Sequence, residues 1–262
     1  MVPFLRHALK TDPQGFHVAV SGRKVVAFAA TVLRGRWHFL ALFFALPGRQ
    51  SQGIGRPVLQ AAFDGPRPPR GTVRCVVASQ DLRAQALYLK FGMIPRTILY
   101  YVSGKPREPR PPEMAVELRQ IGPASRATKR ALDLAARFDR PLRGVRRDGD
   151  LRYLMALVKG TRFFEARRNG RTVGYVILRG NGLIGPAGVG DASLSEGVVA
   201  AAIGKARELK LKTVSIWVPG LNEGALQAAF GNGLKVDFLT VWMAAKPLGN
   251  LAAYLPANGL LF

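Results

Sequence analysis

The stretch "ALPGRQSQGIGRPVLQAAF", residues 45–63, decides how this chain is interpreted. An almost entirely apolar run, "WHFLALFFAL", leads into it and is typical of a buried strand. A polar loop with two glycines follows, and then a second apolar run begins. Pro57 stands where the first turn of a helix tolerates proline. The sequence therefore predicts a strand, a glycine-bearing loop and a helix that starts near Arg56.

This loop has the features of an anion site. Its residues are Gln50, Ser51, Gln52, Gly53, Ile54 and Gly55. The first amides of a helix have no partner within the helix, and they point outward with the positive end of its dipole. Glycine lets the backbone approach a ligand closely, and Arg49 and Arg56 add positive charge. The loop predicts a phosphate or pyrophosphate site; a plain strand-to-helix turn is the alternative. Neither the P-loop nor the dinucleotide-binding pattern is present.

A second motif, "DLRAQALYLKFGM", covers residues 81–93 and follows a further predicted strand, "TVRCVVAS". The two motifs in this order resemble those of the GNAT acyltransferase superfamily. The first matches Gln-x-x-Gly-x-Gly, and the second matches Asn-x-x-Ala-x-x-Leu-Tyr-x-x-x-Gly-Phe. The matching residues of the second motif are Asp81, Ala84, Leu87, Tyr88 and Gly92. Asp81 replaces the usual asparagine and Met93 the usual phenylalanine.

The resemblance implies a site for acetyl-coenzyme A. The loop from Gln50 to Arg56 would hold the pyrophosphate, and Asp81 and Ala84 occupy further coenzyme-binding positions. A carboxylate cannot donate the hydrogen bond that an amide would, so a helix cap is the other interpretation of Asp81. A backbone amide would bind the thioester carbonyl oxygen, and the candidates are Phe44, Ala45 and Leu46.

Tyr88 is the candidate catalytic residue. By resemblance it would lie beside the coenzyme's sulfur and protonate the departing thiolate. An amphipathic tyrosine packed on the sheet is the alternative. No general base is identified. His38 could act through water, although a partly exposed histidine at a strand end fits the sequence better. Cys75 lies within a predicted strand and is interpreted as a small core residue.

The element order is repeated along the chain. A proline-rich linker at 104–112 separates a predicted domain at 1–103 from a second at 113–262. Both parts are predicted as hairpin, strand, helix, strand, helix, strand, which indicates α/β (α+β) tandem GNAT-like domains with mixed sheets flanked by helices. Few residues precede the first hairpin, so the N-terminal domain is expected to lack the family's first strand and helix.

The second domain is interpreted as degenerate. Its residues 185–197 include Asp191 and Glu196, whose charge opposes a pyrophosphate, and Ala229 stands at the tyrosine position. We expect one coenzyme per chain, bound by the first domain.

Composition bounds the function further. The chain has 262 residues, a net charge of +23 and 48% hydrophobic residues. A single cysteine excludes an internal disulfide and a cysteine-based zinc site, and no metal is expected. No apolar run is long enough to span a membrane, and no secretory signal is visible, so a cytoplasmic location is expected.

The sequence thus predicts an acyl-CoA-dependent N-acyltransferase that transfers acetyl to an amine of unknown identity. A non-catalytic acyl-CoA-binding module is one alternative. A nucleic-acid-binding protein is another, and it rests on charge alone. The positive charge favours neutral or anionic acceptors over polycationic ones. Oligomeric state cannot be inferred from these residues.

Overall fold

A computed structural model of the chain describes residues 2–50 and 52–261. The fold consists of two compact units. Unit 1 is formed by Met1–Arg96 with Val241–Leu248, and unit 2 by Thr97–Thr240 with Gly249–Phe262. The boundary between these units differs from the predicted division at 104–112. One reason is that Val241–Ala244, late in the chain, forms hydrogen bonds with a strand of unit 1.

Apart from α1 and β12, the elements appear in the predicted order, which confirms the mixed α/β fold. The first elements are α1 (Val2–Thr11), β1 (Phe16–Ser21), β2 (Lys24–Arg34), β3 (Trp37–Ala45), α2 (Gly55–Asp64), β4 (Val73–Ala78), α3 (Leu82–Lys90) and β5 (Ile94–Gly104). The later elements are β6 (Glu117–Gln120), α4 (Lys129–Arg143), α5 (Asp148–Leu157), β7 (Arg162–Arg168), β8 (Arg171–Leu178), β9 (Leu183–Val189), α6 (Ser195–Glu208), β10 (Val214–Pro219), α7 (Glu223–Gly231), β11 (Lys235–Ala244) and β12 (Tyr254–Leu255).

Helix α1 corrects the expectation that the N-terminal domain lacks its helix. It buries Phe4 and Ala8, four residues apart on one helical face, and this amphipathic pattern was overlooked in the sequence. Among the described residues of unit 1, no strand precedes it.

The sheet of unit 1 has the order β1–β2–β3–β4, followed by the end of β11. Strands β3 and β4 are parallel, and Val241–Ala244 is antiparallel to β4. Helices α2 and α3 pack against the sheet around one apolar core. Its buried side chains include Leu40, Leu59, Phe63, Val76, Tyr88, Phe91, Met93 and Met243.

In unit 2, the strands run in the order β5–β10–β9–β8–β7–β6. Strand β10 is antiparallel to β5 and parallel to β9. Strand β12 lies outside this order and pairs with β9. The segment around β12 has no counterpart in the sequence prediction.

Candidate active site

A cavity of about 490 Å³ opens beside β3 in unit 1. It is lined by Phe43, Phe44, Ala45, Arg49, Gln50, Gly53, Gly55, Arg56, Ser79, Asp81, Arg83, Ala84, Leu87, Tyr88 and Lys90. Both sequence motifs contribute to it, although a whole strand separates them along the chain.

The cavity exists because two parallel strands part. Strands β3 and β4 are paired from Trp37 and Val73 to Leu40 and Val76, and their pairing ends there. The register between β2 and β3 shifts at the same place, so that Ala41 is an extra residue in β3. Such a bulge bends its strand and increases its twist. Beyond it, β3 continues to Ala45 with its β4-facing edge unpaired by that strand.

The ladder between β2 and β3 decides which amides point into the cavity. The amide of Leu46 donates to the carbonyl of Val26 at 2.9 Å. Amides alternate in direction along an antiparallel pair, so Phe44 points towards β2 as Leu46 does. The amides of Phe43 and Ala45 point the other way, to the open edge. Of the three predicted carbonyl-binding positions, Ala45 alone has this orientation.

The loop after β3 is organised by its own hydrogen bonds. The amide of Arg49 donates to the carbonyl of Leu46 at 3.0 Å, and Nε2 of Gln52 donates to the carbonyl of Gly48 at 2.8 Å. Gly53 has a φ of +80°, in the left-handed region that favours glycine. A Cβ on it would meet nothing within 4 Å, so this part of the backbone is open to a ligand.

Helix α2 begins at this loop with no acidic residue in its first turn and no side-chain cap at Ile54. Its first amides therefore keep the positive end of the helix dipole available to an anion. Gly55 serves close packing, because a Cβ on it would lie 2.9 Å from Cζ of Phe43.

Asp81 caps α3, as one of its two interpretations predicted. Its Oδ1 accepts the amide of Arg83 at 2.9 Å, and its Oδ2 lies 3.0 Å from Nη2 of Arg83. The hydrogen bonds from Arg83 hold the pKa of the Asp81 carboxyl below its usual value. Asp81 is therefore ionised and acts only as an acceptor, while Arg49, Arg56 and Lys90 bring positive charge to the cavity.

Tyr88 lies on the inner face of α3 and is 6% exposed. It belongs to the apolar core as well as to the cavity wall, and its ring centroid is 6.3 Å from that of Phe43 in an edge-on arrangement. Burial, with a smaller contribution from the negative charge of Asp81, raises the pKa of its phenol. The hydroxyl therefore stays protonated at neutral and moderately alkaline pH.

His38 does not line the cavity, and the interpretation as a partly exposed histidine is wrong. Its side chain is 0% exposed, because β3 is covered by α2 where His38 packs edge-on against Phe63. Its Nε2 lies 3.1 Å from Oγ1 of Thr31. Burial first, and the charge of Arg74 second, lower the pKa of His38 to about 4, so the ring is neutral at pH 7. Cys75 is fully buried, as predicted for a core residue.

This buried histidine should make the stability of the protein depend on pH. The unfolded chain binds a proton on His38 near pH 6.5, whereas the folded chain does so only near pH 4. The neutral His38 side chain therefore makes its full contribution to the free energy of unfolding above pH 6.5. This contribution is lost as the pH falls towards 4. Between pH 7 and pH 5 the loss is about 2 kcal/mol.

Denaturant titrations at the two pH values, on the wild type and on His38→Gln, measure this effect. Between pH 7 and pH 5, the free energy of unfolding of His38→Gln should fall by about 2 kcal/mol less than that of the wild type, since glutamine cannot titrate. Equal losses of unfolding free energy in the two proteins would contradict a lowered pKa of His38 in the folded state.

The cavity brings together most of the site residues predicted from the sequence. Those that line it are Phe44, Ala45, Gln50, Gly53, Gly55, Arg56, Asp81, Ala84 and Tyr88. Those that do not are Leu46, Gln52 and Ile54. Ser51 lies outside the described residues.

The sequence interpretation missed Phe43, Ser79, Arg83 and Lys90. Phe43 could have been found from the period of two along β3, because it shares a face with Ala45. Of the described residues that line the cavity, Asp81 is the one carboxylate and none is a histidine, so the structure adds no candidate for a direct general base.

The described residues contain no helix with the length and apolarity to cross a membrane, and no cluster of three or more metal-ligating side chains.

The sequence from residue 2 to residue 93 matches the model of the acetyltransferase (GNAT) family. This part of the chain is similar to a GNAT domain. It contains both motifs and the whole cavity, and the family supports acyl-CoA-dependent acetyl transfer in general.

Solved structures extend the likeness of fold beyond residues 2–93. A putative acetyltransferase from Pyrococcus horikoshii superposes with a TM-score of 0.73 at 17% identity, over 99% of this chain and 83% of that one. A tandem GNAT protein from the clavulanic acid biosynthesis pathway gives 0.57 at 17% identity, over 94% and 89%. A GCN5-related N-acetyltransferase from Sphaerobacter thermophilus gives 0.55 at 16%, over 88% and 80%. No curated protein matches the sequence.

Proposed function

We propose that unit 1 transfers an acetyl group from acetyl-CoA to the nitrogen of an amine. The observation that carries this proposal is the convergence of three features on one cavity. These are the unpaired edge of β3, the start of α2 and the hydroxyl-bearing Tyr88. The lining also offers cations, among them Arg49 and Lys90, to the phosphates and apolar walls to the rest of the coenzyme.

In this proposal each group has a distinct role. The amides after Gly53 bind the pyrophosphate, and the amide of Ala45 or Phe43 binds the thioester oxygen. The neutral amine attacks the carbonyl carbon, a C–N bond forms and the C–S bond breaks. The proton of Tyr88 goes to the departing thiolate, and the excess proton on the amine nitrogen leaves through water, which returns a proton to the Tyr88 phenolate. Holding both reactants in line is the main contribution of the site.

The acceptor side of the site indicates what kind of amine would fit. A groove of about 330 Å³ adjoins the cavity and shares Phe44 and Ala45 with it. Its other lining residues are Val25, Val26, Ala27, Phe28, Leu46 and Pro47, none of which is titratable. The rings of Phe28 and Phe44 stack at 5.4 Å. We infer that the acceptor has an apolar body, because such a groove offers a polyamine or a sugar few hydrogen-bonding partners.

Release of free coenzyme A from acetyl-CoA measures the reaction. Phenethylamine and tryptamine should be acetylated with a kcat/KM at least tenfold above that of spermidine or glucosamine. Val25 is 51% exposed in the groove, and Val25→Asp should reduce kcat/KM for the apolar amines about tenfold by placing a charge there. Leu9→Asp is the matched control, since Leu9 is 50% exposed on α1 and outside the groove.

The same assay separates the alternatives. Binding of acetyl-CoA with no turnover for any amine would favour the non-catalytic module. A preference for spermidine would contradict an apolar acceptor while leaving acetyl transfer intact. Binding to single-stranded RNA that weakens steeply with salt would support the nucleic-acid alternative.

A further inference from the structure

Unit 2 contains a second pair of parting parallel strands. Strand β10 pairs with β9 at Leu183–Ser215 and Ile184–Ile216, and β9 then continues to Val189. Strand β3 has the same relation to β4 in unit 1. The part of β9 beyond Ile184 is thus the counterpart of the edge that lines the cavity of unit 1.

In unit 2 this edge is already occupied. Strand β12 runs antiparallel to β9, with Tyr254 opposite Gly188 and Leu255 opposite Ala187. The amide of Val189 donates to the carbonyl of Ala253 at 3.0 Å. A segment of the same chain therefore satisfies the backbone groups that in unit 1 face open space.

Polar contacts hold this segment on both sides of β12. Nη2 of Arg179 donates to the carbonyl of Ala257 at 2.9 Å, and Oγ of Ser195 donates to the carbonyl of Ala252 at 3.4 Å. Ser195 is the first residue of α6, so this contact lies at the helix end that corresponds to the start of α2. The close approach also requires glycine at 185, where a Cβ would lie 2.7 Å from the carbonyl oxygen of Pro256.

Tyr254 anchors the segment in the interior and is 1% exposed. The guanidinium groups of Arg143 and Arg147 lie 5.4 and 5.3 Å from its ring centroid. Arg147 is fixed in turn by Asp139 at 2.8 Å and by the hydroxyl of Tyr175 at 3.0 Å. Cation–π contacts of this kind gain strength when they are desolvated.

The space left in this cleft is about 10 Å³, against about 490 Å³ in unit 1. The remnant is lined by Ala187, Val189, Ser195, Val198, Val199, Asn222, Ala253 and Leu255. Asn222 caps α7 as Asp81 caps α3, so the two cavities are lined by corresponding elements. A remnant of this size holds one water molecule at most.

We propose that the cleft of unit 2 is a binding site for an apolar peptide, filled by residues 250–261 of its own chain, of which Tyr254–Leu255 form the strand. The segment adds a strand to β9, which is the mode of recognition known as β-augmentation. It occupies the position that corresponds to the acyl-CoA cavity of unit 1. Unit 2 therefore binds no acyl-CoA while the segment is in place, and this inference does not require unit 1 to be catalytic.

A protease recognition sequence inserted between Leu248 and Gly249 tests the proposal on the full chain. The neighbouring residues Lys246 and Pro247 are exposed, so an insertion there is accessible to the protease. After cleavage the fragment should co-elute with the rest of the protein in native buffer and separate only in denaturant. In the same insertion background, Tyr254→Asp and Leu255→Asp together should release the fragment on cleavage.

Hydrogen exchange gives a readout that does not depend on cleavage. The amide of Val189 should be protected in the wild type and should lose at least tenfold of its protection in the Tyr254→Asp and Leu255→Asp protein. Protection of the α4 and β7 amides shows in the same experiment whether unit 2 remains folded. If the wild-type fragment dissociates on cleavage while those amides stay protected, the segment is not bound as a strand and the proposal fails.

Calorimetric titration with acetyl-CoA separates this proposal from the proposed function. One molecule per chain is expected for the intact protein. A stoichiometry near two would show that unit 2 also binds acetyl-CoA and would overturn the proposal that residues 250–261 fill its cleft. Absence of any binding would contradict the function of unit 1, and the cleavage and exchange results would still decide whether the segment fills the cleft.

Discussion

Acetyl-CoA at 100 times its Kd should raise the melting temperature of unit 1 by roughly 5 to 10 °C, and replacement of Gly53 and Gly55 by valine should abolish the rise. Saturation of this degree stabilises the folded state by about 2.7 kcal/mol, and each kcal/mol corresponds to roughly 2 to 4 °C for a chain of this size. Valine at position 53 would place its side chain in the open space that we assign to the pyrophosphate. Valine at position 55 would displace Phe43, which already lies 2.9 Å from the Cβ position.

Gly48→Val is a matched control for the backbone strain in this experiment. Gly48 has a φ of +79°, against +80° for Gly53, and a Cβ would meet nothing within 4 Å at either position. The difference that this experiment uses is that Gly53 lines the cavity and Gly48 does not. Gly48→Val should therefore melt at a lower temperature than the wild type but keep the full ligand-induced rise.

Differential scanning fluorimetry over a range of acetyl-CoA concentrations measures both effects. If Gly53→Val and Gly48→Val both keep the full response to the ligand, the loop does not bind the coenzyme. Loss of the response in both would point to strain in the loop and not to blocked contact with the pyrophosphate.

The motifs were readable from sequence because their structure depends on local geometry. A glycine with positive φ, a proline in the first helical turn and an acid at the N-cap of α3 each act over a few residues. Their predicted consequences are present at Gly53, Pro57 and Asp81. The spacing of Ala84, Leu87 and Tyr88 also fixes one face of α3, because residues three and four apart on a helix are neighbours.

Other features depend on pairing between distant residues and left no local signal. Val241–Ala244 joins the sheet of unit 1 through β4, although almost the entire sequence of unit 2 precedes it. The β12 segment is short and has no alternating pattern, so nothing in it indicated a strand that would fill a cleft. The burial of His38 likewise depends on Phe63 and Thr31, which come from α2 and β2.

Removal of the Tyr88 hydroxyl should lower kcat about a hundredfold and leave the Kd for acetyl-CoA within about twofold of the wild type. General acid catalysis by a positioned side chain contributes typically 10²–10⁴-fold. Phenylalanine keeps the ring that packs in the core and against Phe43, so binding and fold should survive in Tyr88→Phe. Single-turnover rates and calorimetric affinity, measured with the best amine from the acceptor screen, separate the two quantities.

The pH dependence distinguishes a proton donor from a packing residue. Because burial raises the pKa of Tyr88, the wild-type rate should not fall where an ordinary tyrosine ionises, near pH 10. In Tyr88→Phe the chemical step should become sensitive to the leaving group, so a thioester with a more acidic thiol should recover much of the lost rate. Tyr153→Phe removes a hydroxyl from α5 and should change neither the kcat nor the Kd for acetyl-CoA. An unchanged kcat in Tyr88→Phe would exclude the hydroxyl from the mechanism and leave Tyr88 as part of the wall against which the coenzyme packs.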